Sequence, residues 1–136
     1  MLRGNYIMPL VRIDITTAYT TEEAKVLLDV VHDNVVKWFK VPVRDRYQVL
    51  SRHNEDELIL EDTNLGFERS SKRISIQVFS RKRQDEAKLD FYKHVVVDLS
   101  EKLQISGKDV LISVIENGDA DWSFADGEGQ FVNGAL

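Results

Sequence analysis

Three short stretches carry residue types that do chemistry: Met8-Pro9 at the head of an alternating run, Asp45 inside VPVRDRY, and Arg81-Lys82-Arg83. A proline behind a methionine has two readings. It opens an edge strand, where its missing N–H removes no ladder bond. Alternatively, methionine aminopeptidase removes Met8 and leaves Pro9 as a free secondary amine. An α-amino group titrates near ~8 before its surroundings act, so such an amine works as acid or base close to neutral pH. Inside a longer chain Pro9 is a tertiary amide with no basic lone pair. The second reading therefore carries an expectation: translation begins at Met8, and residues 1–8 (MLRGNYIM) are an N-terminal extension. Arg3-Gly4 fits it, because AGG-GGN is a purine-rich ribosome-binding sequence at a suitable distance from Met8.

Arg81 and Arg83 lie two apart where a strand-like run ends, so they share a face if extended geometry continues. Two guanidiniums there make a fork for a carboxylate. The other reading is a solvated charge cluster. Asp45, between a helical and a strand-like segment, reads as a turn residue capping local amides. Trp122, Phe124 and Phe131 read as packing of the tail. Pro9 and Arg81 meet only if their strands run antiparallel or if different subunits come together.

Composition removes other chemistries. The chain has no cysteine, which excludes disulfides, thiolate nucleophiles and cysteine metal sites. His32, His53 and His94 have no metal-ligand spacing and read as structural. No residue set implies a metal or an organic cofactor. Hydrophobic content of 43% with 30% charged residues is ordinary for a globular protein. A net charge of −5 argues against a nucleic-acid partner, which needs a basic face. With no apolar run near the ~20 residues of a membrane span, and no signal-peptide core at the front, the expectation is a cytoplasmic protein that does not engage membranes.

The elements that must position these residues are written twice. PLVRIDIT (9–16) alternates as a strand, and Thr20-Thr21-Glu22-Glu23 has the spacing of a capping box. Ala24, Leu27, Leu28, Val31, Val35 and Trp38 then form an apolar helical stripe, ending near Lys40 because Pro42 disfavours helical geometry in Val41. YQVLSRH (47–53) is a second strand. RISIQVFS (73–80), a helix over 84–103 and VLISVIE (110–116) repeat the order, and Glu23-Ala24-Lys25 recurs as Glu86-Ala87-Lys88. Asp45 falls opposite Asp109. The reading is an α+β tandem β-α-β repeat. Its units, about 9–54 and 73–117, form one domain over 9–136, with a polar linker that has room for a turn or small helix and a hairpin or tail at 118–136. Each unit pairs its strands in parallel, giving a four-stranded mixed sheet with both helices on one face. The other face is expected to be apolar and uncovered, which calls for an oligomer, and the tail hairpin is expected to reach a neighbouring subunit.

Met-Pro-Leu at the strand start, VPVRDRYQV around Asp45, LGFERS at 65–70, Arg81-Lys-Arg83 and ENGDADWSF near the end together resemble the tautomerase superfamily. The malonate semialdehyde decarboxylase branch is the most similar. The resemblance spans Pro9 to Leu136 and implies a β-α-β trimer, an amino-terminal catalytic proline and an active site between subunits. Carried over by motif, it implies that Pro9 is the catalytic amine and Asp45 its acidic partner. Arg81 and Arg83 would bind the substrate carboxylate, and Trp122, Phe124 and Phe131 would form a hydrophobic wall. The implied activity is cofactor-independent decarboxylation of a 3-oxo acid such as malonate semialdehyde. Tautomerase or hydratase activity on 2-oxo, enol or acetylenic acids, or a non-enzymatic trimeric binding protein, are the alternatives.

Overall fold

A computed structural model describes residues 9–136; the extension and the processing expected at Met8 lie outside the described residues. The first unit comprises β1 (Leu10–Thr16), α1 (Thr21–Phe39) and β2 (Tyr47–His53). The second comprises β3 (Ile74–Arg81), α2 (Asp85–Leu103) and β4 (Val110–Asn117), and a short helix α3 (Gln130–Asn133) closes the chain. The four strands and the two long helices match the expected bounds to within a residue, whereas α3 falls where a hairpin or tail was expected.

Local sequence explains the helix ends. Glu23 N donates to Thr20 Oγ1 at 3.1 Å while Thr20 N donates to Glu23 Oε1 at 2.9 Å, so the capping box is closed in both directions. At the other end Lys40 turns left-handed (φ 56°) and Val41-Pro42 leads the chain away. α2 likewise ends on a left-handed Gln104, whose N–H returns to the Ser100 carbonyl.

The sheet order is β2-β1-β3-β4, with β1 parallel to β2, β3 parallel to β4 and the central pair antiparallel. Ile13 pairs with Ile76, its own repeat equivalent, so the pseudo-twofold axis relating the units passes between them. Val11, Ile13, Ile15, Ile74, Ile76 and Val78 are buried under the two helices. Phe39 of α1 stacks on Phe91 of α2 with ring centroids 4.9 Å apart, and both are fully buried. A polar ladder ties the helices further: Asn34 Nδ2 donates to Asp98 Oδ2 at 2.9 Å, and Trp38 Nε1 donates to Asn34 Oδ1 at 3.0 Å. No helix among the described residues is long and apolar enough to cross a membrane.

The other sheet face differs from the expectation of an apolar surface. Alternation puts successive rows across it. The row at the Pro9 end is apolar: Tyr47, Leu10, Phe79 and Ile115. The next is Val49, Arg12, Gln77 and Ser113, followed by Ser51, Asp14, Ser75 and Leu111. His53 Nε2 sits 2.6 Å from Asp14 Oδ1, and Arg12 Nε 3.6 Å from Asp14 Oδ2. Apolar residues occupy one end and the corners, while ionised and amide side chains fill the middle.

The linker includes a short 3-10 turn (Glu55–Glu57) and is held at the far end of the sheet from Pro9. Arg73 Nε donates to the Leu58 carbonyl at 2.6 Å, and Thr16 Oγ1 to the Ser71 carbonyl at 2.5 Å. Buried Asp109 receives both Ser70 N and Ser70 Oγ at 2.6 Å. Lys72 Nζ pairs with Glu23 at 2.9 Å and lies over the Tyr19 ring. Burial first, then the carboxylates of Asp109 and Glu23, push the Tyr19 hydroxyl well above the ordinary phenol range, so it stays a donor to the Lys72 carbonyl.

Candidate active site

Pro9 is buried and immediately precedes Leu10, whose register partners are Tyr47 on β2 and Phe79 on β3. The antiparallel β1–β3 pairing brings the head of β1 to the end of β3, where Arg81 is the last strand residue. Strand direction within one chain therefore brings Pro9 and Arg81 to the same sheet end. The Pro42–Asp45 turn is at that end too: Asp45 N donates to the Pro42 carbonyl at 3.0 Å, and Asp45 stands two residues before Tyr47. Its repeat counterpart makes the same turn, Asp109 N to the Ser106 carbonyl at 3.0 Å. The carboxylates then diverge. Asp109 is 3% exposed and bound to Ser70, whereas Asp45 is half-buried beside the head of β1.

Arg81 and Arg83 do not remain on one face. Arg81 lies over the Phe131 ring, 4.4 Å from its centroid, and forms an ion pair with Asp119. Arg83 turns beneath the sheet end, 5.6 Å from the ring centroid of Phe39, and its backbone N–H donates to Glu116 Oε2 at 2.9 Å. Burial, and secondly the Arg81 guanidinium, lower the Arg83 pKa from its ordinary value against the opposing pull of Glu116. Arg83 nonetheless remains a cation near neutral pH. Glu116 is held below the usual carboxylate range by its hydrogen bond to Lys88, at 2.8 Å, and by the Arg83 N–H.

The tail aromatics come together and pack on the sheet of their own chain. Trp122 stacks on Phe124 at 5.5 Å, and Phe124 meets Phe131 edge-on at 5.4 Å. The physical reason is anchoring at both sheet edges. Trp122 Nε1 donates to Asn117 Oδ1 of β4 at 2.7 Å, while Phe124 reaches Tyr47 of β2 with centroids 6.0 Å apart. Hairpin pairing is reduced to one bridge, Ala125 with Glu128, around left-handed Asp126 and Gly127. Gln130 then fixes the return, accepting from Phe124 N at 3.0 Å and donating to the Ala125 carbonyl at 2.9 Å. Because the cluster spans β4 to β2, Pro9 on the intervening β1 lies between its anchor points.

Sequence reasoning missed Tyr47, Asn117 and Asp119. Tyr47 had a signal, since it heads a strand in the row that contains Leu10; the other two are tail-side polar residues with no periodicity. The arrangement brings two guanidiniums, the Asp45 and Asp119 carboxylates and an aromatic cluster to the sheet end where a strand has its buried head.

This fold and this site define a class. A family model described as "Tautomerase enzyme" matches residues 45–125, and the chain belongs to the tautomerase family. A curated relative, probable tautomerase YrdN of Bacillus subtilis (strain 168), is 42% identical over 129 residues, covering 95% of this chain and 100% of that protein. A crystal structure of malonate semialdehyde decarboxylase, described for its decarboxylase and hydratase activities, matches with TM-score 0.88 at 42% identity, over 93% of this chain and 98% of that one. At the level of fold alone, a fused 4-OT solved as a symmetric trimer matches with TM-score 0.71 at 21% identity, over 88% of this chain and 94% of that one.

Proposed function

We propose that the protein, once its chain begins at Pro9, is a cofactor-independent decarboxylase of a 3-oxo acid such as malonate semialdehyde, working as a homotrimer. The observation that carries this reading is the convergence of Arg81, Arg83 and the aromatic cluster on the strand end that Pro9 heads. The kinship with malonate semialdehyde decarboxylase supports the substrate class. The trimeric fused 4-OT supports the assembly, for which the apolar row and corners of the open sheet face offer a surface.

In the proposed reaction the two arginines hold the substrate carboxylate so that the breaking C–C bond aligns with the carbonyl π orbitals. Protonated Pro9 donates a hydrogen bond to the carbonyl oxygen, or condenses with the carbonyl to an iminium. The bonding pair flows toward that acceptor, CO2 leaves, and the resulting enol or enamine takes a proton at carbon; hydrolysis releases acetaldehyde if an iminium formed. Asp45 keeps Pro9 cationic, because a nearby anion favours the protonated amine. The apolar wall disfavours the carboxylate relative to neutral CO2.

A tautomerase or hydratase reading has support of its own in the curated relative's name and in the neighbour's hydratase activity. It requires the opposite protonation state, a neutral Pro9 acting as base, which the flanking guanidiniums favour. Titration of Pro9 by 15N NMR in the chain beginning at Pro9, with product analysis on malonate semialdehyde, separates the readings. The decarboxylase reading predicts a pKa above 7 by the ordinary α-amino standard and acetaldehyde as product. A pKa near 6, or no acetaldehyde, overturns it.

A further inference from the structure

The Arg81 guanidinium already holds a carboxylate from its own chain. Asp119 Oδ1 pairs with Arg81 Nη2, yet Asp119 has no part in the reaction outlined above. The two partners differ in their surroundings. Arg81's side chain is 19% exposed and backed by Phe131, whereas that of Asp119 is 51% exposed. Asp119 stands on a three-residue 3-10 turn (Asp119–Asp121) secured at its base, where Gly118 N donates to Asp121 Oδ2 at 2.7 Å. A cavity of about 220 Å3 lined by Arg81, Lys82, Asn117, Gly118 and Asp119 opens beside the pair.

We propose that Asp119 is an internal substitute for the substrate carboxylate, a displaceable ligand of Arg81 that sets the site's affinity and its selectivity for anions. The inference rests on the reading that Arg81 receives the substrate's carboxylate. A desolvated guanidinium is costly without an anion, and Asp119 meets that need between turnovers. When an anionic substrate arrives, Arg81 exchanges one carboxylate for another. Asp119, half in water already, swings toward the cavity with little further solvation cost. A neutral carbonyl compound has no charge with which to displace it, so the pair also discriminates against uncharged ketones and aldehydes. The alternative role is a clamp that holds Arg81 over Phe131, and it predicts the opposite response to substitution.

Asp119→Asn in the chain beginning at Pro9 tests this, with propionate as a nonreactive monocarboxylate measured by titration calorimetry, beside kcat and KM on malonate semialdehyde. Removal of the competitor tightens propionate about two- to fivefold, as expected for deletion of a partly exposed ion-pair partner, and lowers KM while kcat holds or falls. Asp119→Glu retains the internal carboxylate and the parental affinity. Arg81→Ala abolishes the gain when combined with Asp119→Asn. Unchanged or weaker propionate binding in Asp119→Asn, with the fold intact by circular dichroism, overturns the proposal and makes Asp119 a clamp. Because propionate binding does not depend on turnover, tightened binding in a protein that releases no CO2 would uphold the displaceable ligand and remove only the decarboxylase reading.

Discussion

In the proposed reaction, Pro9 and Asp45 pull the chemistry in a direction set by charge. Two arginines near an amine lower its pKa and a carboxylate raises it, and one pKa unit is about 1.4 kcal/mol. If the protonated amine is the working form, activity falls as pH rises through the Pro9 pKa. Asp45→Asn removes an anion and destabilises the cation, so this alkaline limb moves to lower pH, by about one unit or more. A kcat/KM profile of the variant checks it, and an alkaline limb that stays in place argues that Asp45 is only a turn residue. Pro9, Asp45 and the Arg81-Lys-Arg83 cluster stood out in the sequence as candidates because each is a local motif with a chemical meaning. Asp119 did not, since its significance comes from a contact with Arg81, far away in sequence.

The two β-α-β units show the same chain pattern put to two uses. At the far end from Pro9, the linker fills the space with Ser70, Lys72 and Tyr19, and Asp109 becomes a buried fastening. At the near end the corresponding Asp45 is left half-buried at the candidate site. Asp109→Ala removes a buried carboxylate that accepts two hydrogen bonds from exposed Ser70 and is expected to cost about 1–3 kcal/mol of stability. Urea unfolding at constant m checks this, with kcat/KM unchanged under conditions where the variant is folded. Asp45→Asn is expected to leave the urea midpoint near that of the parent while altering the pH profile. The four strands and the two long helices were readable to within a residue because apolar periodicity, the Thr20–Glu23 box and the Pro42 stop are all local signals. The tail was not. Its path is fixed by the hydrogen bond from Trp122 to Asn117 and the ring contact of Phe124 with Tyr47, which leave no periodic trace in sequence.

For the whole molecule, strand direction was the missing piece of information. Neither β-α-β unit alone says how it meets the other; the antiparallel Ile13–Ile76 pairing decides it and joins Pro9 to Arg81 within one chain. The polarity of the open face was likewise misjudged, because apolar residues were counted while Arg12, Asp14, Ser51, Gln77 and Ser75 on the alternate positions were not. A face with an apolar end row and a central ionic cluster suits a specific assembly better than a nonspecific one, since charges misplaced in an interface disfavour wrong registers. Sedimentation velocity is expected to give a trimer. Arg12→Glu, which sets like charge against Asp14, is expected to shift the population toward smaller species with the protomer still folded. A parent protein that sediments as a monomer at micromolar concentration would contradict the assembly.

The central claim is that the Pro9 nitrogen is the reactive group, and it has a chemical on–off condition. Release of CO2 from malonate semialdehyde should be measured for two preparations under identical conditions, one beginning at Pro9 and one retaining residues 1–8. The first is expected to decarboxylate enzymatically, and the second, whose Pro9 nitrogen is a tertiary amide, at a rate indistinguishable from the uncatalysed reaction. Equal turnover by both would contradict it.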